Sequence, residues 1–263
     1  RVFIKFPTIY SKILPEYKQY FGGPLHLNKS TYGMTLSGKF WYLELMDALL
    51  NMGFIQSSTI KCLFFKIFPD GSSIYILNYV DDMLYFGSSS SLVDQFKSDL
   101  ASRFDLEKLG QAHWYLATRI TQQANYDITL DQSKYCKSII KRYLDSVGCK
   151  NVIHPHTTPL PSGFTPSLED LSISDDLAHQ LSIEYKINFR SCIGSLIYLT
   201  LTRTDILYAV NKLAKFAHRP GKVHFDALVH VLRYLRDNIS WGLKFYSDTT
   251  TAPVHNILSS NNL

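Results

Sequence analysis

Apolar and polar positions alternate first at Val2, Ile4 and Phe6, which predicts a short strand ended by Pro7. Pro15 and Gly22-Gly23-Pro24 mark turns. Residues 36–53 change period: Phe40, Leu43, Met46, Ala48, Leu49 and Leu50 recur at helical spacing, with Gly53 as the stop. Cys62–Phe68 reads as an aromatic strand and Pro69-Asp70-Gly71 as a tight turn. Ile74–Val80 and Met83–Phe86 read as two further strands, with Asp81-Asp82 as the turn between them. Val93, Phe96, Leu100 and Phe104 then follow at helical spacing. Trp114–Thr121 and Asp127–Leu130 read as a strand pair, and Asp131 or Ser133 as the cap of a helix running to Val147.

Residues 151–180 have no apolar period. Pro155, Pro159, Pro161 and Pro166 sit among Ser, Thr and His, which predicts a linker or long loop. Helices resume over 185–201, 204–217 and 222–237, a strand follows at Trp241–Tyr246, and the polar tail after Asp248 reads as loose. Strands and helices mix without βαβα alternation, so the expected class is α+β.

The 263 residues are 46% hydrophobic and 19% charged, which excludes intrinsic disorder and leaves ample material for a core. No run approaches the roughly 20 apolar residues of a membrane span. Cys62, Cys136, Cys149 and Cys192 are far apart without a CxxC pair, so a disulfide scaffold or zinc ribbon is not expected and reduced thiols are. The net charge is +5, and residues 186–222 alone carry +6: Lys186, Arg190, Arg203, Lys212, Lys215, Arg219 and Lys222 against Asp205. Such a block attracts polyanions or forms a solvated helix face. The first residue is Arg1 rather than Met, and the expectation is a piece of a longer product.

Tyr79-Val80-Asp81-Asp82 is the most informative run. Two carboxylates forced together between apolar strands repel unless a cation or proton relieves them. Hard oxygens suit Mg²⁺, which takes one or two carboxylates together with water and substrate phosphates. A two-metal phosphoryl-transfer site needs such a pair. A solvated, inert Asp-Asp turn is the competing reading.

The flanks decide between them. Leu77-Asn78-Tyr79-Val80-Asp81-Asp82-Met83-Leu84 resembles the catalytic hairpin of reverse transcriptases, and Val before the Asp pair resembles the copia-type long-terminal-repeat retrotransposons. Val2–Pro7, Ser30-Thr31-Tyr32-Gly33-Met34 through Trp41, Leu109-Gly110 through Leu116, and Leu130, Gln132, Lys134 and Tyr135 are similar to further segments of that family in the same order. Arg190–Leu199 with Thr202–Ile206, and His230–Tyr234 with Gly242-Leu243, complete a resemblance that spans nearly the whole chain.

The resemblance implies a right-hand polymerase: partial fingers and palm over 1–125, a thumb-like helix over 126–150, a linker over 151–184, a helical connection region over 185–247 and the tail over 248–263. It implies an RNA-directed DNA polymerase that adds deoxynucleotides to a primer 3′-hydroxyl on an RNA or DNA template. Asp81 and Asp82 would be the catalytic, metal-binding residues, with Mg²⁺ or Mn²⁺ as the ion. Tyr32, Gly33, Ser37, Gly38 and Val80 would border the nucleotide. Tyr79, Lys134, Arg190, Arg203, Lys212 and Lys215 would contact nucleic acid. Integrase and ribonuclease H regions of a parent polyprotein would be neighbours, no membrane partner is implied, and the expected location is a cytoplasmic virus-like particle with nuclear access.

Two positions depart from the family pattern. Its third catalytic carboxylate precedes the substrate-binding motif, whereas the first acidic residue here is Glu16 and Asp47 comes too late; the expectation is that the missing Asp lies upstream of Arg1, leaving this chain inactive by itself. Thr35 and Leu36 stand where family members carry Lys-Gln, and Leu36 cannot hydrogen-bond a nucleotide. Tyr246-Ser247-Asp248 lacks the surroundings of a ribonuclease H carboxylate. Cys149, His154 and His156 lack a fourth zinc ligand at a fitting spacing, and His218, His224 and His230 do not share a helical face. The rival to an active polymerase is a relic that binds nucleic acid without extending it; an unrelated interaction domain with a chance Asp-Asp turn is the third reading.

Overall fold

The computed structural model describes residues 3–5, 16, 23–27, 31, 33–144, 156–247 and 255–262. The chain divides into two compact units, residues 1–108 with 260–263, and residues 109–259. Every strand pair with a described register is antiparallel.

In unit 1, β1 (Phe3–Lys5) pairs with β2 (Pro24–His26). The principal sheet runs β3 (Ile55–Gln56), β4 (Leu63–Ile67), β5 (Ser73–Tyr79) and β6 (Asp82–Gly87), each strand beside the one before it. Pleating sorts its side chains onto two faces. Phe64, Ile76 and Tyr85 form one cross-strand row, all buried. Phe65, Tyr75 and Phe86 form a stacked row on the opposite face, with ring centroids 6.3 and 5.3 Å apart.

Helices cover the buried face. In α1 (Ser37–Asn51), Trp41, Leu45, Ala48 and Leu49 lie on one stripe, and the last three are buried. Helix α2 (Ser90–Ala101) starts where the Ser89 hydroxyl accepts the Leu92 amide at 3.3 Å. Its Phe96 meets Phe54 and Tyr85 edge-on at 5.3 and 5.4 Å. Burial of these aromatics ties α2 to the hairpin that carries the Asp pair and to Phe54, just beyond α1.

β7 (Leu106–Gln111) spans the boundary at 108/109. In unit 2, β8 (Trp114–Tyr115), β9 (Thr118–Gln122), β10 (Ile128–Asp131) and β11 (Leu243–Phe245) form a four-stranded sheet. The helices are α3 (Ser133–Ile139), continued by a π-turn over Ile140–Leu144, α4 (Asp175–Glu184), α5 (Phe189–Leu199), α6 (Leu207–Ala214) and α7 (Lys222–Asp237). Their shared core includes Ile139, Leu144, Cys192, Leu196, Val210, Leu213, Phe225, Leu228 and Leu232. Residues 145–155, with Val147, Gly148, Cys149 and His154, lie outside the described residues.

Two stretches are more ordered than their composition predicts. The described part of the expected linker is docked: the Ser172 amide and hydroxyl donate to the Arg219 and Pro220 carbonyls at 3.1 and 2.8 Å, and α4 occupies its end. Backbone hydrogen bonds hold this segment where an apolar period is missing. Residues 255–262 form a strand, β12, rather than a loose tail, because strand pairing uses backbone groups whatever the side chains. Among the described residues, no helix is long and apolar enough to cross a membrane.

Candidate active site

Strand pairing fixes the Asp pair. Tyr79 and Asp82 are partners on the closing rung of the β5–β6 hairpin, so the turn consists of Val80 and Asp81 alone. The sequence pattern assigns both acids to the turn; register shifts this by one residue, making Asp82 the first residue of β6. Val80 has φ 54°, and Asp81 is not among the residues at positive φ. Positive φ at the first central residue only is the signature of a II′ turn, which favours Gly there. Val accepts this conformation at a cost of order 1–3 kcal/mol.

Something must hold such a turn. The Trp41 indole Nε1 donates to the Val80 carbonyl at 2.9 Å. Trp41 itself meets the Phe104 ring edge-on at 5.2 Å. The sequence pattern identified Trp41 only as the end of a motif; its place four residues before Leu45, at the head of the apolar stripe, was the available signal. At the next residue of the helix, the Tyr42 hydroxyl donates to the Lys61 carbonyl at 3.0 Å, and Gln56 Nε2 also reaches that carbonyl at 2.8 Å.

Both carboxylates are half-buried, and among the described residues no ion pair or hydrogen bond engages either one. Tyr79 and Val80 are 57% and 55% exposed, forming an apolar lip beside them. The donor set is therefore two hard carboxylates open to solvent, which fits a Mg²⁺ or Mn²⁺ ion completed by water and phosphate oxygens. It does not by itself fit two ions. Among the described residues no group of three or more His, Cys, Asp or Glu side chains gathers in a metal-binding arrangement.

The expected nucleotide-bordering residues lie at the head of α1. Tyr32 falls outside the described residues. Gly33 has φ 87°, a conformation that explains glycine without any close approach, since a Cβ there meets nothing within 4 Å. The Ser37 hydroxyl donates to the Thr31 carbonyl at 2.7 Å, closing the turn that starts the helix. Gly38 is exposed and its Cβ position is open. Ser37 lies one helical turn, about 6 Å, before Trp41, so this motif and the hairpin are joined through the indole. Leu36 is 49% exposed and caps the helix without a side-chain hydrogen bond.

The basic residues do not form one array. Arg203 is buried: its Nε and Nη2 donate to Asp205 at 2.9 and 2.7 Å and its Nη1 to the Asn238 carbonyl at 2.8 Å. Its guanidinium also lies 5.8 Å from the Tyr234 and Trp241 ring centres. Burial pushes the Asp205 carboxyl up, but hydrogen bonds from Arg203 and Tyr234 outweigh it and hold the pKa below its ordinary value. Arg203, expected as a nucleic-acid contact, is instead an internal brace: three of its five N–H donors bond Asp205 and the Asn238 carbonyl, and at 2% exposure it presents no surface to a phosphate. Lys212 is half-buried and donates to the Phe164 carbonyl at 2.6 Å. Arg190 and Lys215 are exposed, and Lys134 is exposed above the Trp114 ring at 5.5 Å. Arg190 borders a shallow cavity of about 240 Å³ with His179 and His218.

His156, the described member of the zinc reading, instead donates its amide to Asp237 at 3.0 Å and packs edge-on against His230 at 4.3 Å.

Residues 8–158 match the family model of the reverse transcriptase (RNA-dependent DNA polymerase). The chain is 31% identical over 237 residues to a retrovirus-related Pol polyprotein from transposon TNT 1-94 of Nicotiana tabacum, covering 86% of this chain and 17% of that protein. It is 31% identical over 230 residues to the Pol polyprotein from transposon RE1 of Arabidopsis thaliana, covering 87% and 14%. An uncharacterized mitochondrial protein of Arabidopsis thaliana is 35% identical over 176 residues, covering 67% of each chain. The chain therefore spans about a sixth of the Pol polyproteins it matches. No solved structure matches it significantly.

Proposed function

The chain belongs to the reverse transcriptase (RNA-dependent DNA polymerase) family of copia-type retrotransposons, and from that premise we propose that the β5–β6 hairpin is its metal-binding polymerase centre. The observation that carries this reading is the half-buried, unengaged pair Asp81 and Asp82 within the matched residues. Under this reading unit 1 supplies the palm with part of the fingers, and unit 2 the thumb and connection region.

Asp81 and Asp82 would hold the divalent ion, Mg²⁺ or Mn²⁺. That ion, when bound, would supply charge stabilisation for phosphoryl oxygens during nucleotide addition. Tyr79 and Val80 offer an apolar lip against which a primer terminus rests. The head of α1, with Gly33, Ser37 and Gly38, borders the deoxynucleotide. Of the expected contacts, Arg190, Lys215 and Lys134 are exposed cations that can track a phosphate backbone. The wider setting we propose is a Pol polyprotein in a cytoplasmic virus-like particle with nuclear access, alongside integrase and ribonuclease H regions.

A second reading is favoured by the two-carboxylate donor set: a protein that binds primer–template without extending it. Two carboxylates support one ion better than two. Primer extension in Mg²⁺ and Mn²⁺, paired with salt-dependent primer–template binding, separates the two. Extension that Asp81→Asn abolishes supports the polymerase; binding with no extension supports the relic. Neither binding nor extension leaves the hairpin an inert turn.

A further inference from the structure

The turn between Asp81 and its neighbours has two ways to lie. In a two-residue hairpin the peptide joining the central residues can rotate by roughly half a turn, interconverting the II′ and I′ forms. The flip leaves the first central residue at positive φ and carries the second from negative to positive φ. Here that peptide is Val80–Asp81, and Asp81 is on the negative side. Its orientation decides where the Asp81 Cβ, and hence the carboxylate, points.

The Val80 carbonyl belongs to that peptide, and strand pairing does not use it, because the closing rung joins Tyr79 and Asp82. Its partner is the Trp41 indole at 2.9 Å. Trp, unlike Phe, offers a ring N–H and no acceptor, so the contact can form in only one sense. The Phe104 edge contact and the stripe shared with Leu45 and Leu49 fix the indole independently of the turn. A rigid helix therefore grips a flippable peptide.

We propose that Trp41 is a positioning residue whose indole N–H locks the Val80–Asp81 peptide in one orientation and so aims the Asp81 carboxylate beside that of Asp82. The proposal rests on the hairpin being a metal site, but the lock is a property of the turn and is read without metal. Helix α1 also carries the nucleotide-bordering motif one turn earlier. The same helix thus sets the carboxylate and carries the expected nucleotide-bordering residues.

The test uses the full chain with Trp41→Phe, which keeps a ring against Phe104 and removes the donor. The intraresidue amide-to-Hα distance of Asp81, short only at positive φ, is followed by NMR in metal-free protein. Mn²⁺ affinity is followed in parallel, and thermal unfolding monitors overall folding. The lock predicts that Asp81 in Trp41→Phe populates positive φ and that Mn²⁺ binds at least fivefold more weakly, with unfolding still cooperative. An Asp81 unchanged in Trp41→Phe overturns the lock. A flipped Asp81 with unchanged Mn²⁺ affinity overturns the aiming role. Absence of Mn²⁺ binding in the wild-type chain instead defeats the metal-site reading, and the NMR measurement still decides the lock. If Trp41→Phe does not fold, Trp41 substituted by benzothienylalanine, which replaces the N–H by sulfur, serves for the same measurements.

Discussion

Tyr79 and Asp82 close the β5–β6 hairpin as direct cross-strand partners, which forces Val80 into the left-handed region at φ 54°. A β-branched residue there carries strain of about 1–3 kcal/mol. Glycine would remove the strain and give back about 0.5–1 kcal/mol in unfolded-chain entropy. Val80 is 55% exposed, so little packing is lost. Val80→Gly is therefore expected to raise stability by about 1 kcal/mol in urea unfolding, the strain relieved less the entropy returned. A loss of stability would mean that the valine side chain contributes packing that its exposure hides.

Buried Arg203 and half-buried Asp205 form an ion pair with every guanidinium nitrogen engaged. Removing one partner strands the other. Arg203→Met is expected to cost about 3–5 kcal/mol in urea unfolding. Asp205→Asn keeps the shape but leaves the buried Arg203 charge unpaired, and should cost at least as much. If Arg203 instead served the nucleic-acid surface, Arg203→Met would leave stability intact and weaken primer–template binding.

How far the sequence reaches is visible in these same residues. Periodicity located α1, α2, α5 and α7, because their buried positions repeat every three to four residues. It located β4, β5 and β6, because alternation and the Pro69-Asp70-Gly71 turn bracket them. The Asp pair stood out by chemistry and by family resemblance. The one-residue shift of the turn was not legible, because register is a relation between strands and a local pattern is silent on it. The Trp41–Val80 bond joins residues 39 apart, beyond any periodic signal. Charge counting failed for Arg203 because a cation in a helical run looks the same whether it faces solvent or an internal carboxylate.

The docked segment before α4 depends on one close approach. A Cβ on Gly221 would lie 1.9 Å from the Asp170 carbonyl oxygen. No side chain fits, so Gly221→Ala must push Asp170 away and strain the Ser172 hydrogen bonds to Arg219 and Pro220. The expected cost is about 1–3 kcal/mol, with faster proteolytic cleavage between 160 and 174. Unchanged cleavage would show that the segment is held without this contact.

Binding should separate the exposed cations from the internal ones. Lys134 and Arg190 are exposed, so each phosphate contact they make releases counterions. Lys134→Ala or Arg190→Ala is expected to reduce the salt slope of primer–template binding by about 1 and to leave stability within about 0.5 kcal/mol. Slopes identical to wild type would remove both residues from the nucleic-acid surface.

Acid should loosen unit 2 through two histidines. Burial pushes the pKa of His224 down, opposed by the Asp170 carboxylate. His230 is also pushed down, chiefly by burial and further by the charges of His156 and Arg233. In the unfolded chain both titrate near 6.5. Between that value and the lower folded pKa, the unfolded state holds more protons, so stability falls as pH falls. Stability is thus fully present above about pH 6.5 and declines below it, by at most about 1.4 kcal/mol per pH unit for each histidine. His224 adds a structural reason: its Nδ1 accepts the Gly221 amide at 3.0 Å, a role lost on protonation. Urea unfolding from pH 7.5 to pH 5 should show this decline, and His224→Gln should flatten it. A profile equally steep in His224→Gln would assign the decline to His230 and its neighbours in the middle of the helix.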